Sequence, residues 1–71
     1  MKNLKTRLEQ GENIEFESDN DMMEANHRKT LGGSTEFIII LNCKIIHMSK
    51  TFKSFENKLI NLISERNLIE C

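Results

Sequence analysis

The sequence predicts a small single α+β domain: an antiparallel β-hairpin plus a short third strand, packed against a C-terminal amphipathic helix, with one or two short N-terminal helices. Three observations predict it. Residues 35–49 hold two runs dense in β-forming residues, TEFIIIL and KIIHMS, separated only by Asn42-Cys43. Phe55, Leu59, Leu62 and Ile63 recur at helical spacing near the end of the chain. Ile14 and Phe16 alternate with Glu15 and Glu17, the period of a half-buried strand.

Taken in order, residues 2–10 place Leu4 and Leu8 on one stripe among Lys, Arg, Glu and Gln, a minimal amphipathic helix that Gly11 ends. Residues 13–18 follow as a strand with a carboxylate outer face. Asp21-Met-Met-Glu24 reads as an N-cap acid with a second carboxylate three residues on. His27, Arg28 and Lys29 supply a basic last turn and Gly32-Gly33 the stop, so residues 21–31 are predicted helical on a thin stripe of Met22, Met23, Ala25 and Leu31. With Asn42 and Cys43 as the two turn residues, Leu41 faces Lys44, Ile39 faces Ile46 and Phe37 faces Met48 on the core side. Ile38, Ile40 and Ile45 then share the other side with His47, where either the N-terminal helix or another molecule must cover them. Asn accepts the positive φ of a primed turn and Cys accepts it poorly, so a three-residue loop, shifting the register by one, stands as the alternative. Thr51 or Ser54 caps the last helix. Its polar face is Glu56, Lys58, Asn61, Ser64 and Glu65.

The chain has 71 residues, 38% hydrophobic and 30% charged, which is a globular composition sized for one domain, residues 1–71. A single core of this size seldom supplies more than about 3–5 kcal/mol, so a homodimer through Ile38, Ile40 and Ile45 or through an edge strand is expected. Formal net charge is −1, but the charges are segregated. From Glu9 to Asn26 there are seven acids and no base; from His27 to Lys58 there are Arg28, Lys29, Lys44, Lys50, Lys53 and Lys58 against Glu36 and Glu56.

Chemistry-bearing patterns are sparse. His27, Cys43, His47 and Cys71 match a zinc site in number only, because Cys43 and His47, four residues apart on a strand, stand roughly 13 Å from each other. No metal and no cofactor is expected. Ser49, Ser54 and Ser64 lack a nucleophile elbow, and Gly32-Gly33-Ser34-Thr35 lacks phosphate-loop spacing, so no enzyme is expected. Two irregularly placed cysteines imply a reducing, cytoplasmic setting. No apolar signal region precedes the domain, and the longest apolar run, Phe37–Leu41, is far too short to cross a bilayer, so no membrane association is expected.

Two function classes remain. The first is a protein-binding module whose segment 9–24, through Glu12, Glu15, Glu17, Asp19, Asp21 and Glu24, occupies a basic, nucleic-acid-binding groove on a partner protein. The second is a small RNA- or DNA-binding protein using Arg28, Lys29, Lys44, Lys50, Lys53 and Lys58, against which stand a pI of 6.1 and the absence of Tyr and Trp. Small size, a two-sided apolar hairpin and a concentrated acidic segment suit an inhibitor, adaptor or antitoxin-like partner of another protein. In texture the chain also looks like small accessory reading frames of phages and mobile elements, a likeness that implies an anti-defence inhibitor.

Overall fold

The computed structural model describes residues 3–71. Chain order is α1 (Leu4–Glu9), β1 (Ile14–Glu17), β2 (Met22–Lys29), β3 (Thr35–Leu41), β4 (Lys44–Ser49), α2 (Phe52–Arg66) and β5 (Ile69–Glu70). The strands form one antiparallel sheet ordered β4-β3-β2-β1-β5. The α+β expectation holds, with α2 packed on the sheet and a single short helix before it. Lys2, at the start of the expected first helix, lies outside the described residues.

Helix α1 buries Leu4 and Leu8, the stripe the spacing predicts, and β1 buries Ile14 and Phe16 while Glu15 and Glu17 stay exposed. The helix expected over 21–31 is instead β2, paired with β1 from Ile14↔Ala25 to Glu17↔Met22 and with β3 from Met23↔Leu41 to Lys29↔Thr35. A helix here would bury only the thin stripe noted above. As a strand the same residues send Met23 and Ala25 into the core and find backbone partners on two sides, so tertiary pairing overrides local propensity. The glycine pair that reads as a helix stop is a hairpin loop. The Thr30 N–H bonds the Ser34 carbonyl at 2.7 Å and the Gly33 N–H bonds the Thr30 carbonyl at 3.0 Å. Gly33, at φ +86°, takes the left-handed position that a three-residue loop requires.

Asn42 and Cys43 have φ of 50° and 70°, which is the two-residue primed turn, and Leu41↔Lys44 pairs as expected. Beyond Ile40↔Ile45 the ladder slips. The next pairs are Ile39↔His47, Ile38↔Met48 and Phe37↔Ser49, so Ile46 is the extra residue of a β-bulge. This corrects the expected Ile39–Ile46 and Phe37–Met48 pairs: His47 joins the side of Ile39, and Met48 joins the side of Ile38.

Helix α2 starts after an extended Thr51 whose own side chain makes no cap. Ser49 Oγ accepts the Thr51 N–H at 3.2 Å and donates to its carbonyl at 3.0 Å. The helix buries Phe55, Leu59 and Leu62. It ends at Asn67, φ 54°, where the N–H groups of Asn67 and Leu68 both bond the Ile63 carbonyl. This is a Schellman-type stop, and it drops Leu68 into the core. The chain then pairs with β1 as β5, Phe16↔Glu70 and Glu17↔Ile69, a strand too short for any sequence pattern to announce.

One cluster unites Leu4 and Leu8 of α1, Phe55, Leu59 and Leu62 of α2, and the inward residues of β1, β2 and β3. Phe37 sits within it, 5.4 Å from the rings of both Phe52 and Phe55 and 4.7 Å from His27. Both helices therefore cover the same face of the sheet.

An L-residue in the left-handed region costs roughly 1–2 kcal/mol, so Cys43→Gly should relieve strain in the primed turn and raise Tm by about 4–8 °C per kcal/mol recovered. Cys43→Val should lower it. Thermal melts followed by circular dichroism check both, and a lower Tm for the glycine variant would contradict the turn assignment.

Candidate functional site

Strand alternation fixes what the other face carries. With Ile14, Phe16, Met23, Ala25, Phe37, Ile39 and Leu41 turned to the helices, Glu15, Glu17, Met22, Glu24, Asn26, Arg28, Glu36, Ile38 and Ile40 point the opposite way. Ile45 and Met48, opposite Ile40 and Ile38, and Ile69, opposite Glu17, join them. Among the described residues no helix covers this face. Met22 is 65% exposed, Ile45 53%, Met48 52% and Ile69 72%, an unusual concentration of apolar side chains in water for so small a domain.

Of the residues expected to self-associate, Ile45 is exposed and Ile40 half-buried, but Ile38 is buried although it lies on the uncovered face. Arg28 on β2 explains it. Its Nη2 lies 3.8 Å from Met48 Sδ on β4 and 3.8 Å from Glu36 Oε2 on β3, so the long side chain crosses β3 and roofs Ile38.

Five of the seven acids of the run fall into two groups. Glu12 pairs with Arg7, which also reaches Glu70 at 3.0 Å, and these two carboxylates hold the Arg7 guanidinium above its ordinary pKa, Glu70 most strongly. Asp21 accepts from Asn42 Nδ2 at 2.8 Å and from Arg66 Nη1 at 3.2 Å, while Asn42 Oδ1 accepts the Met22 N–H at 2.9 Å. That network ties the β3–β4 turn, the start of β2 and the end of α2 together. Glu15, Glu17 and Glu24 form the second group, on the uncovered face, and among the described residues no cation pairs with them. Glu15 stands directly opposite Glu24, a like-charge cross-strand pair. Asn13 Nδ2 donates to Glu24 at 2.9 Å, which offsets part of that repulsion. Asp19 lies in the β1–β2 turn, so the regular carboxylate spacing of the strand stops at Glu17.

A groove of about 450 Å³ runs beside these carboxylates, lined by Glu15, Glu17, Met22, Glu24, Cys43 and Cys71 among others. Both cysteines are exposed and unpaired. The Cys71 thiol is raised above its ordinary pKa by desolvation and by the neighbouring carboxylates, which keeps it in the poorly nucleophilic protonated form. Its backbone is not loose: the Cys71 N–H bonds the Glu15 carbonyl at 2.9 Å. His27 packs against Phe37 with the two rings tilted, and His47 sits on the covered side with Nε2 enclosed and without a hydrogen-bond partner among the described residues. Among the described residues no three His, Cys, Asp or Glu side chains gather into a metal-holding group.

The basic residues fall on separate elements, Arg28 and Lys29 on β2, Lys44 on β4, Lys50 in the connection to α2, and Lys53 and Lys58 on α2. Sequence reasoning missed Met22, Met48 and Ile69 as members of the uncovered face. The alternation of Met23 and Ala25 with Met22, Glu24 and Asn26 was the available signal for Met22. Searches against protein-family models, curated proteins and solved structures each return no match. No helix among the described residues is long and apolar enough to cross a membrane.

The Asn42 hydrogen bond, aided by Arg66 and opposed by desolvation, holds the Asp21 carboxyl below its ordinary pKa. A carboxylate depressed in the folded state stabilises the protein above the unfolded pKa of about 3.9, and that contribution is lost as pH falls toward the folded value. Asp21→Asn should therefore be less stable than wild type at pH 7, with a deficit that shrinks by pH 3. Melts across that range decide it, and parallel curves for the two proteins would refute the role given to Asp21.

Proposed function

We propose that this protein is a non-enzymatic protein-binding module that acts in a reducing cytoplasm by covering a basic and partly apolar surface on another protein, as a phage or mobile-element type inhibitor does. The observation that carries the reading is the uncovered sheet face, where Met22, Ile40, Ile45, Met48 and Ile69 lie beside Glu15, Glu17 and Glu24, whose charges meet no cation among the described residues. Placing Glu15 opposite Glu24 costs stability in the isolated chain, and a positive partner surface converts that cost into fast, selective association.

The acids that act outward in this reading are Glu15, Glu17, Asp19 and Glu24. Glu12 and Asp21 hold the chain's own Arg7 and Arg66 and are assigned to stability. Glu15 and Glu17 project from one strand face at roughly 7 Å, similar to the spacing of successive backbone phosphates, so a nucleic-acid-binding groove is the kind of basic surface they fit. The dispersal of the six basic residues over β2, β4, the following loop and α2 gives no comparable support to direct nucleic-acid binding.

Capture from a lysate of the source cell, run as a salt series, tests this with wild type and a Glu15→Gln, Glu17→Gln, Asp19→Asn, Glu24→Gln variant. Proteins retained by wild type should carry basic surfaces, elute with moderate salt and be lost from the variant. Equal retention at equal salt by a folded variant would refute the reading, as would saturable binding of random RNA or duplex DNA by wild type in fluorescence anisotropy.

A further inference from the structure

We infer that the uncovered face takes a single basic amphipathic helix of the partner protein, laid along β3 with its apolar stripe on Ile40, Ile45 and Met48 and a flank of lysines or arginines over Glu15, Glu17 and Glu24. The inference rests on the reading of that face as a protein-binding surface and names the shape and chemistry of what it binds.

The pairing register sorts the face into two halves. Glu15, Glu24, Ile40 and Ile45 stand level in one row from β1 to β4, two carboxylates followed by two isoleucines. Met48 extends the apolar half toward one end of the strands, and Glu17 extends the acidic half toward the other. With strands about 4.8 Å apart, the middle of the acidic pair lies about 10 Å from the middle of the apolar pair, which is the width of an α-helix with its side chains. A partner sheet would press flat on the whole row and bury Glu15 and Glu24 under apolar side chains. A helix touches along a line and curves away from it, so its apolar stripe seats on the isoleucines while long cationic side chains on its flank reach down to the carboxylates. An added strand needs a free sheet edge instead, and the edge at β4 is interrupted by the Ile46 bulge and bounded by Lys44 and Lys50.

The surroundings of the acids choose the cation. Glu17 stands between Met22 and Ile69, both largely exposed on the same face. Apolar walls on either side of a carboxylate suit the methylene stem of a lysine or arginine, and they offer nothing to a small hydrated ion. The groove bounded by Glu15, Glu17, Met22 and Glu24 receives such a side chain, and a cation there removes the repulsion between Glu15 and Glu24. From Met22 to Asn26 along β2 this part of the face is about 13 Å long, two to three helical turns. Beyond it Arg28, held by Glu36, ends the acidic half.

Titration calorimetry and far-UV circular dichroism test this with three synthetic peptides of about 14 residues. The first repeats leucine at i, i+3, i+4 and i+7 with lysines along one flank, the second holds the same residues in an order that breaks the stripe, and the third has glutamate for each lysine. Wild type should bind the first with a helical signal larger than the sum of the two components, and should bind the other two at least tenfold more weakly. The variants Glu15→Gln/Glu17→Gln/Glu24→Gln and Ile45→Ser/Met48→Ser, each checked for folding by its melt, should both lose tenfold or more in affinity for the first peptide, and only the glutamine variant should lose the salt dependence of binding. Equal binding of the first and second peptides, binding without added helix, no binding by wild type, or undiminished binding by either folded variant overturns the inference. So does sedimentation of free wild type at twice 8.3 kDa as a dimer that Ile45→Ser/Met48→Ser dissolves, which would give the face to a second copy. In any of these cases, loss of captured proteins from the Glu15, Glu17, Asp19, Glu24 variant would still leave the protein-binding reading standing, and unchanged capture would remove both.

Discussion

Two-sided hydrogen bonding of β2 is the constraint on which the other elements depend. Its backbone pairs with β1 on one side and β3 on the other, and the alternation of its side chains sets a single inward face for the whole sheet. Once Met23 and Ala25 point inward, the apolar stripes of α1 and α2 have one place to go, and Phe37 meets the aromatic rings of α2 there. The helices are then used up. The second face is left to the solvent or to another protein because both helices among the described residues lie on the first.

Polar contacts complete this frame at its ends. Asp21, held by Asn42 and Arg66, joins two turns to the last turn of α2, while Arg7 joins α1 to β5 through Glu70. These pairs lie near the surface and contribute modestly to stability. Their larger effect is to divide one acidic stretch into carboxylates that serve the fold and carboxylates that do not, a division made by tertiary neighbours alone.

Much of the architecture was legible because it rests on local periodicity. Leu4 with Leu8, Ile14 with Phe16, and the Phe55, Leu59, Leu62 series each bury as their spacing requires, and Asn42-Cys43 turns where two β-rich runs meet. Residues 21–31 misled for a physical reason: end signals of a helix, an acid before and bases and glycines after, also suit a strand between two turns. The deciding quantity was the pairing surface offered by β1 and β3, which no local window contains. β5 likewise exists because Asn67 stops α2 in a geometry that aims Leu68 inward. Among the candidate site residues, the outward acids of β1 followed from alternation, whereas Met48 and Arg28 depended on the bulge and on a side chain crossing a neighbouring strand.

The bulge at Ile46 shows that facing is decided by pairing and not by position in the chain. Side chains along a strand follow a two-beat phase, and a bulge sets one residue outside that count. Were Ile46 paired in a regular ladder, His47 and Met48 would trade sides, putting an imidazole among the exposed isoleucines and a thioether against the helices. Because the bulge absorbs Ile46, losing that residue would leave His47 opposite Ile39 and Met48 opposite Ile38, whereas losing the irregularity while keeping the residue would exchange the inside and outside of the strand. At this point in the chain a deletion is the milder change, and the residue that looks surplus is one whose absence the strand's facing would not register.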